Sequence, residues 1–251
     1  MSEYQYYEFL AIDRPLTADK MAELRALSTR ATITPVSFTN EYNWGAFKGD
    51  PEKLMQRYFD AHVYVANWMT AIFMVRLPKE ALSKEIVSAM SVSPFLEFKA
   101  TKKYWIVAWY LEESEDYDRF GEEDGRGWMV RLTPIRDELM RGDFRSLYIG
   151  WLPAVFVEIL DYHDEEPMVL KGLANLTAAQ QALADFLEVH PDLLAGAGMG
   201  SPSAPKAESS PQEMDKWIDA LPRDEVNSIL KQLLEGKGQQ AERFIRNRFA
   251  A

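Results

Sequence analysis

Three histidines, 39 carboxylates and no cysteine define the side-chain chemistry open to this 251-residue chain. Without cysteine there are no disulfides, thiol nucleophiles, iron–sulfur clusters or thiolate-bound zinc. His62 lies in "GDPEKLMQRYFDAHVYVANW", which reads as a helix and offers no second ligand at metal-binding helical spacing. His163, in "DYHDEE", stands among Asp161, Asp164, Glu165 and Glu166. Carboxylates and an imidazole are suitable ligands for a divalent cation, but a solvated acidic loop is the commoner meaning of such a run. His190 is the third histidine. "DYDRFGEEDG" lacks the ligand alternation and terminal glutamate spacing of a calcium-binding loop. No G-x-S-x-G elbow, P-loop or dinucleotide fingerprint occurs, and paired carboxylates are too common in an acidic chain to select a hydrolase site. "RGD" at Arg141–Asp143 is accounted for by helix-end chemistry. The sequence therefore assigns no catalytic residue, no cofactor site and no metal ligand.

The formal charge of −11 sets up a field that repels polyphosphate, which disfavours general nucleic-acid binding. "MSEYQYYEF" lacks the basic and apolar regions of a signal peptide, and the apolar runs fall short of the roughly 20 residues needed to cross a bilayer. The expected setting is cytoplasmic, away from membranes. With 47% hydrophobic residues the chain can build a sizeable core.

The elements that would carry any site read as follows. Tyr4–Ile12 is a strand; Thr17 is the N-cap of a helix carrying Met21, Leu24 and Leu27. "ATITPVSFTNEYNW" is a second strand with Pro35 at an edge or irregular position. Asp50 caps a helix with Pro51 at its first position, whose apparent apolar face runs Leu54, Tyr58, Ala61, Val65 and Trp68. "TAIFMVRLP" is a buried strand, Lys79–Met90 a weaker helix, and "PFLEFKATKKYWIVAWYLEE" two strands joined near Lys102 and Lys103. After an acidic loop, Glu112–Asp124, the pattern turns helical: a hairpin with Gly142 as the residue past its first helix and Asp143 capping the second, then a helix over Thr177–Val189. The second hairpin helix is expected to line up Leu147, Trp151, Val155 and Ile159. The fold class is α+β: a mixed β-sheet with packed helices in the N-terminal half, a helical second half and a tethered C-terminal helical appendage. The expected divisions are a sheet region at 1–112, a helical region on the same core at 113–195, a flexible linker at 196–213 and the appendage at 214–251.

The opening strand could be a stacking platform for bases. Alternation, however, sends Tyr4, Tyr6 and Leu10 to one face and Tyr7, Phe9 and Ala11 to the other, the pattern of a strand buried on both faces.

The appendage contains more apolar surface than two short helices can bury against each other. Trp217, Leu233, Phe244 and Phe249, with Arg243, Arg246 and Arg248, are the candidate partner-binding residues, and the acidic loop is the nearest receptor for the arginines. "YQYYEFLAIDRPLT", "SFTNEYNWGAFKGDPEKLMQRYFDA" and "RGDFRSLYIGWL" together resemble a group of conserved bacterial proteins, a likeness running to about residue 190. It implies a bacterial, cytoplasmic setting and transfers no site residue. The expectation is a non-catalytic adaptor that binds another protein or a second copy of itself. A nucleic-acid-associated accessory factor and a hydrolase with a carboxylate/His site are the alternatives.

Overall fold

A computed structural model describes residues 4–45, 47–68, 70–111, 125–156, 166–203, 211–235 and 238–249. Seven strands form one sheet: β1 (Gln5–Leu10), β2 (Thr32–Ile33), β3 (Ser37–Tyr42), β4 (Ala61–Ala66), β5 (Thr70–Pro78), β6 (Leu96–Ala100) and β7 (Tyr104–Leu111). Their order is β2-β3-β1-β4-β5-β7-β6. The class is α+β; within it, these pairings are antiparallel, where the sequence suggested a mixed set.

Helices cover both faces. On one lie α1 (Ala18–Leu27) and α2 (Pro51–Arg57); on the other, α3 (Lys84–Met90), α4 (Trp128–Leu132), α5 (Pro134–Met140), α6 (Arg145–Trp151), α7 (Pro153–Phe156) and α8 (Ala178–Phe186). α9 (Pro191–Gly200), α10 (Pro211–Ala220), α11 (Arg223–Leu234) and α12 (Gly238–Phe249) complete the described chain. β1 separates two apolar cores. Tyr4 and Tyr6 join Val63, Val65, Phe73 and Trp109 on the first face, while Tyr7 and Phe9 join Phe38, Phe59 and Tyr64 on the second. The period-two alternation of β1 thus feeds both layers, and its aromatics are buried core.

Local signals set several boundaries. Thr17, Asp50 and Ser83 accept from the amides of Lys20, Lys53 and Ile86 at the starts of α1, α2 and α3. Thr177 and Gln180 form a reciprocal capping box on α8. At the end of α5, Gly142 has φ +89°. Its amide donates to Leu139 O at 3.0 Å and the Asp143 amide to Glu138 O at 2.9 Å, the paired bonds of a helix closed by a left-handed residue. Gly150 permits a close crossing: a Cβ there would stand 2.3 Å from the Trp109 ring, so the indole lies against bare α6 backbone and donates Nε1–H to Ser146 O at 3.0 Å.

Three expectations are corrected. The helix expected to run to Trp68 ends at Arg57, and His62 sits on β4. A central strand buried on both faces is apolar throughout, so Leu54, Tyr58, Ala61, Val65 and Trp68 fit a helical period as well as a strand; pairing with β1 and β5 decides it. "ATITPVSFTNEYNW" makes two strands, β2 and β3, with Pro35 in the turn between them. The expected linker at 196–213 begins inside α9, and Ser201 Oγ donates to Leu170 O at 2.7 Å. Residues 204–210, "APKAESS", lie outside the described residues, as do Ile159 and the acidic loop 112–124.

One ionic network ties the layers. Asp60, with 1% of its side chain exposed, accepts from the Ile12 and Asp13 amides at 2.7 and 3.0 Å through Oδ2. Its Oδ1 accepts from Arg76 Nη2 at 2.6 Å and Nε at 3.1 Å. Arg76 Nη1 donates to Met55 O and Gln56 O at the end of α2. From the other face, the buried Arg136 of α5 donates to Arg76 O at 2.9 Å and to Asp13 Oδ2 at 2.7 Å. Removing one partner of a buried ion pair costs about 3–5 kcal/mol, whereas exposed pairs contribute about 0–1 kcal/mol. We therefore expect Asp60→Ala to lower the urea midpoint by several times more than Lys53→Ala, whose exposed ammonium stands 3.1 Å from Asp50. Equal midpoints for the two variants would contradict this hierarchy.

Candidate functional site

His62 is fully enclosed between the strands and α2. Its ring stacks on Phe9 with centroids 3.9 Å apart and planes at 10°. Nδ1–H donates to the Glu8 carbonyl at 2.9 Å, which fixes the tautomer and leaves Nε2 as an acceptor without a partner among the described residues. Burial pushes the imidazole down from 6.5 to about 4, against a smaller upward pull from the Glu8 carbonyl bond. A neutral ring wedged in an aromatic cluster has no substrate path. The Glu8 carboxylate leaves on the opposite face, where the Tyr6 hydroxyl donates to it at 2.8 Å. His190 caps α9, Nδ1 accepting from the Asp192 amide at 3.2 Å. His163, Asp161, Asp164 and Glu165 lie outside the described residues.

The carboxylate pair that the sequence did not single out is Glu138 and Asp143, held around the turn between α5 and α6. Burial, with smaller opposing hydrogen bonds from Thr177 and Gln180, holds the Glu138 carboxyl above its ordinary range. Burial also pushes Asp143 upward, but hydrogen bonds and charge from Arg145 outweigh it and leave that carboxyl low. Divergent carboxylates are what an acid–base pair needs. Here, however, Glu138 accepts from Thr177 Oγ1 at 2.7 Å and Gln180 Nε2 at 2.9 Å, and Asp143 from Arg145 Nη2 at 2.6 Å and Gln180 Nε2 at 3.0 Å. Arg145 Nη1 adds bonds to Gly172 O and Asn175 O. The network is occupied in pinning the α5–α6 turn to the start of α8. Grooves of about 510 and 620 Å³ flank α9 and one of about 220 Å³ lies beside Lys99; neither His62 nor Glu138 lines any of the three.

The C-terminal helices present a different surface. α11 and α12 pack together, burying Ile229 and Ala241. Arg248 Nη2 stands 3.5 Å from Glu225, and Glu242 accepts from Arg141 Nε of α5 at 3.2 Å. Leu230 remains 52% exposed and Leu234 89%, with Leu233, Phe244 and Ile218 also open to solvent. Trp217 is half-buried on α10. Of the expected partner-binding residues, Leu233 and Phe244 are thus brought to an exposed apolar face, and Arg248 is engaged within the appendage. Arg243, Arg246 and Phe249 belong to α12 by their backbone, their side chains lying outside the described residues. The described anchor of α12 on the body is an arginine, Arg141, and the expected acidic receptor 112–124 is itself outside the described residues.

Comparison of the chain with protein-family models, curated proteins and solved structures finds no match. Among the described residues, no helix is long and apolar enough to cross a membrane.

The His62 geometry yields a pH prediction. The unfolded imidazole takes up a proton near 6.5 and the folded one only near 4. Between those values the unfolded state binds more protons, so His62 contributes full stability above about 6.5 and loses it as pH falls towards 4. The difference amounts to about 3 kcal/mol. Unfolding free energy of the parent, measured from pH 7 to 4, should fall more steeply than that of His62→Phe. Parallel curves would show that the imidazole is not held neutral.

Proposed function

We propose that the protein acts by binding another protein, without chemistry of its own, through the apolar face that α11 and α12 leave open. The observation that carries this reading is the exposure of Leu230, Leu233, Leu234 and Phe244 on one helical pair. Contiguous exposed apolar side chains rimmed by polar ones mark interaction surfaces, and an amphipathic helix laid into a partner's groove is a standard use of such spacing. Residues 214–251 carry seven basic and six acidic side chains, so the appendage is nearly neutral on a strongly acidic protein. Long-range repulsion therefore opposes contact there less than elsewhere on the chain. The small, polar composition of 204–210 is that of a tether, and a tether raises the local concentration of the surface it carries. A cytoplasmic, bacterial setting belongs to the same proposal.

The alternatives draw less support. Burial of β1 argues against the aromatic sheet as a platform for bases, and the other support for a nucleic-acid reading, the arginine-rich terminus, belongs to a chain of formal charge −11. The Glu138 and Asp143 carboxylates are spent on internal bonds, and His62 is sealed from both.

The test keeps the full chain. Leu230→Glu combined with Leu234→Glu changes exposed positions, so the melting temperature should stay close to the parent's. Affinity capture from bacterial extract should retain a protein with the parent that the double variant loses, and light scattering should give both the same mass. Identical captured proteins and identical mass would sink the reading; a mass change confined to the parent would replace the foreign partner with a second copy.

A further inference from the structure

The appendage is not the only place where large apolar side chains meet water. Trp44 is 74% exposed and Trp68 45%. They are far apart in sequence but leave the same end of the sheet. β1 begins at Gln5, which pairs with Tyr42 at the end of β3 and with Ala66 at the end of β4. Adjacent strands lie about 4.8 Å apart, so the chain ends leading to Trp44 and Trp68 emerge within about 10 Å of each other. Both loops are fastened at their bases. The Gln5 side chain donates to Gly45 O at 2.9 Å; Asn67 Oδ1 accepts from the Tyr4 amide at 2.9 Å, and the Asn67 amide donates to Tyr4 O at 3.0 Å. Two indoles are thus presented from anchored turns, which lowers the ordering cost of any contact they make.

Charge selects the class of partner. β7 ends at Leu111 opposite Ala71, at this same end of the sheet. The described chain resumes at Gly125, and Arg126 donates to Glu41 from Nη2 at 2.7 Å and from Nε at 3.0 Å. The intervening residues 112–124 hold eight carboxylates and one arginine, most of the −11 carried by the chain. Both points where that charge joins the described fold are therefore beside the tryptophan end. An indole face attracts guanidinium and ammonium groups, arginine above all, and a negative field concentrates cations around it. The same field repels phosphate backbones and anionic lipid. We propose that the end of the sheet bearing Trp44 and Trp68 is a docking surface for an arginine- or lysine-rich segment of a partner protein. It is separate from the surface on α11 and α12 and does not depend on it.

The probe is a labelled twelve-residue peptide carrying six arginines spaced by glycine and serine, with its glutamate counterpart and phosphatidylcholine vesicles as comparisons. Fluorescence anisotropy with the full chain should show binding of the arginine peptide that weakens between 50 and 300 mM salt. Trp44→Ala with Trp68→Ala should weaken it about 5- to 30-fold, the loss of two exposed cation–π contacts, with an unchanged far-ultraviolet spectrum and melt. Trp44→Phe with Trp68→Phe should fall between. Equal binding by parent and double alanine variant would reduce the effect to the field alone and overturn the site. So would failure of the arginine peptide to bind, or equal binding of the glutamate peptide. Tryptophan-dependent binding of the vesicles would overturn it in favour of a lipid surface.

Discussion

A carboxylate cut off from water must find its counter-charge inside the fold, and Asp60 collects partners from three directions. Two amides come from the turn after β1, a guanidinium comes from β5, and through Arg76 the contact extends to the last carbonyls of α2. Arg136 then brings in α5 from the opposite face. Because helices on the two faces meet through residues of the central strands, the sheet and both helical layers share one ionic joint. Register is part of it. A one-residue slip of β4 against β5 would carry every side chain to the other face and break the Arg76–Asp60 geometry. Burying these charges is costly in itself; their complete pairing makes every competing register costlier still.

The joint closes one end of the sheet, and the two cores close its faces. Tyr4, Phe9, Phe38 and Trp109 have almost no exposed surface, so at the centre of the sheet the strands meet packed side chains and not solvent. Large exposed apolar side chains lie instead at the far end of the sheet, where Trp44 and Trp68 leave their turns, and on helices outside the layers. The described titratable clusters lie within this division. His62, the Glu138–Asp143–Arg145 network and the Asp60 joint all sit where the layers meet; internal bonds engage the carboxylates and guanidinia and one nitrogen of His62, whose Nε2 is left without a partner among the described residues.

Much of this was legible in the sequence, because caps and alternation are local. Thr17, Asp50 and Thr177 mark helix starts by side-chain chemistry alone, Gly142 marks an end, and the two-faced apolar pattern of Tyr4–Ala11 places β1 in the interior. What escaped depends on distance along the chain. The Ala61–Ala66 stretch is apolar apart from His62 and buried at every position, so only its partners β1 and β5 distinguish strand from helix. Nothing local singles out Arg136, whose partner Asp13 stands 123 positions away. Trp68 fits the apolar stripe of the helix that does not form, and Trp44 looks like the end of a strand. That the two emerge together follows from the pairing of β1 with both β3 and β4, which composition cannot express. The apolar content of the appendage is readable from its leucines, whereas its contact with Arg141 is not.

The strength of that contact bears on how the appendage works. α11 and α12 have twelve residues each, a length at which an isolated helix is marginal in water, so each needs the other and some support beyond. The described contacts with the body include the Arg141–Glu242 pair of α5 and α12. Exposed pairs contribute about 0–1 kcal/mol. Fully burying one of the open leucines contributes about 1.5–3 kcal/mol, more than that one ion pair supplies. On the proposed reading, a partner that covers two or three of them gains more than the Arg141–Glu242 pair supplies, so its binding competes with that contact.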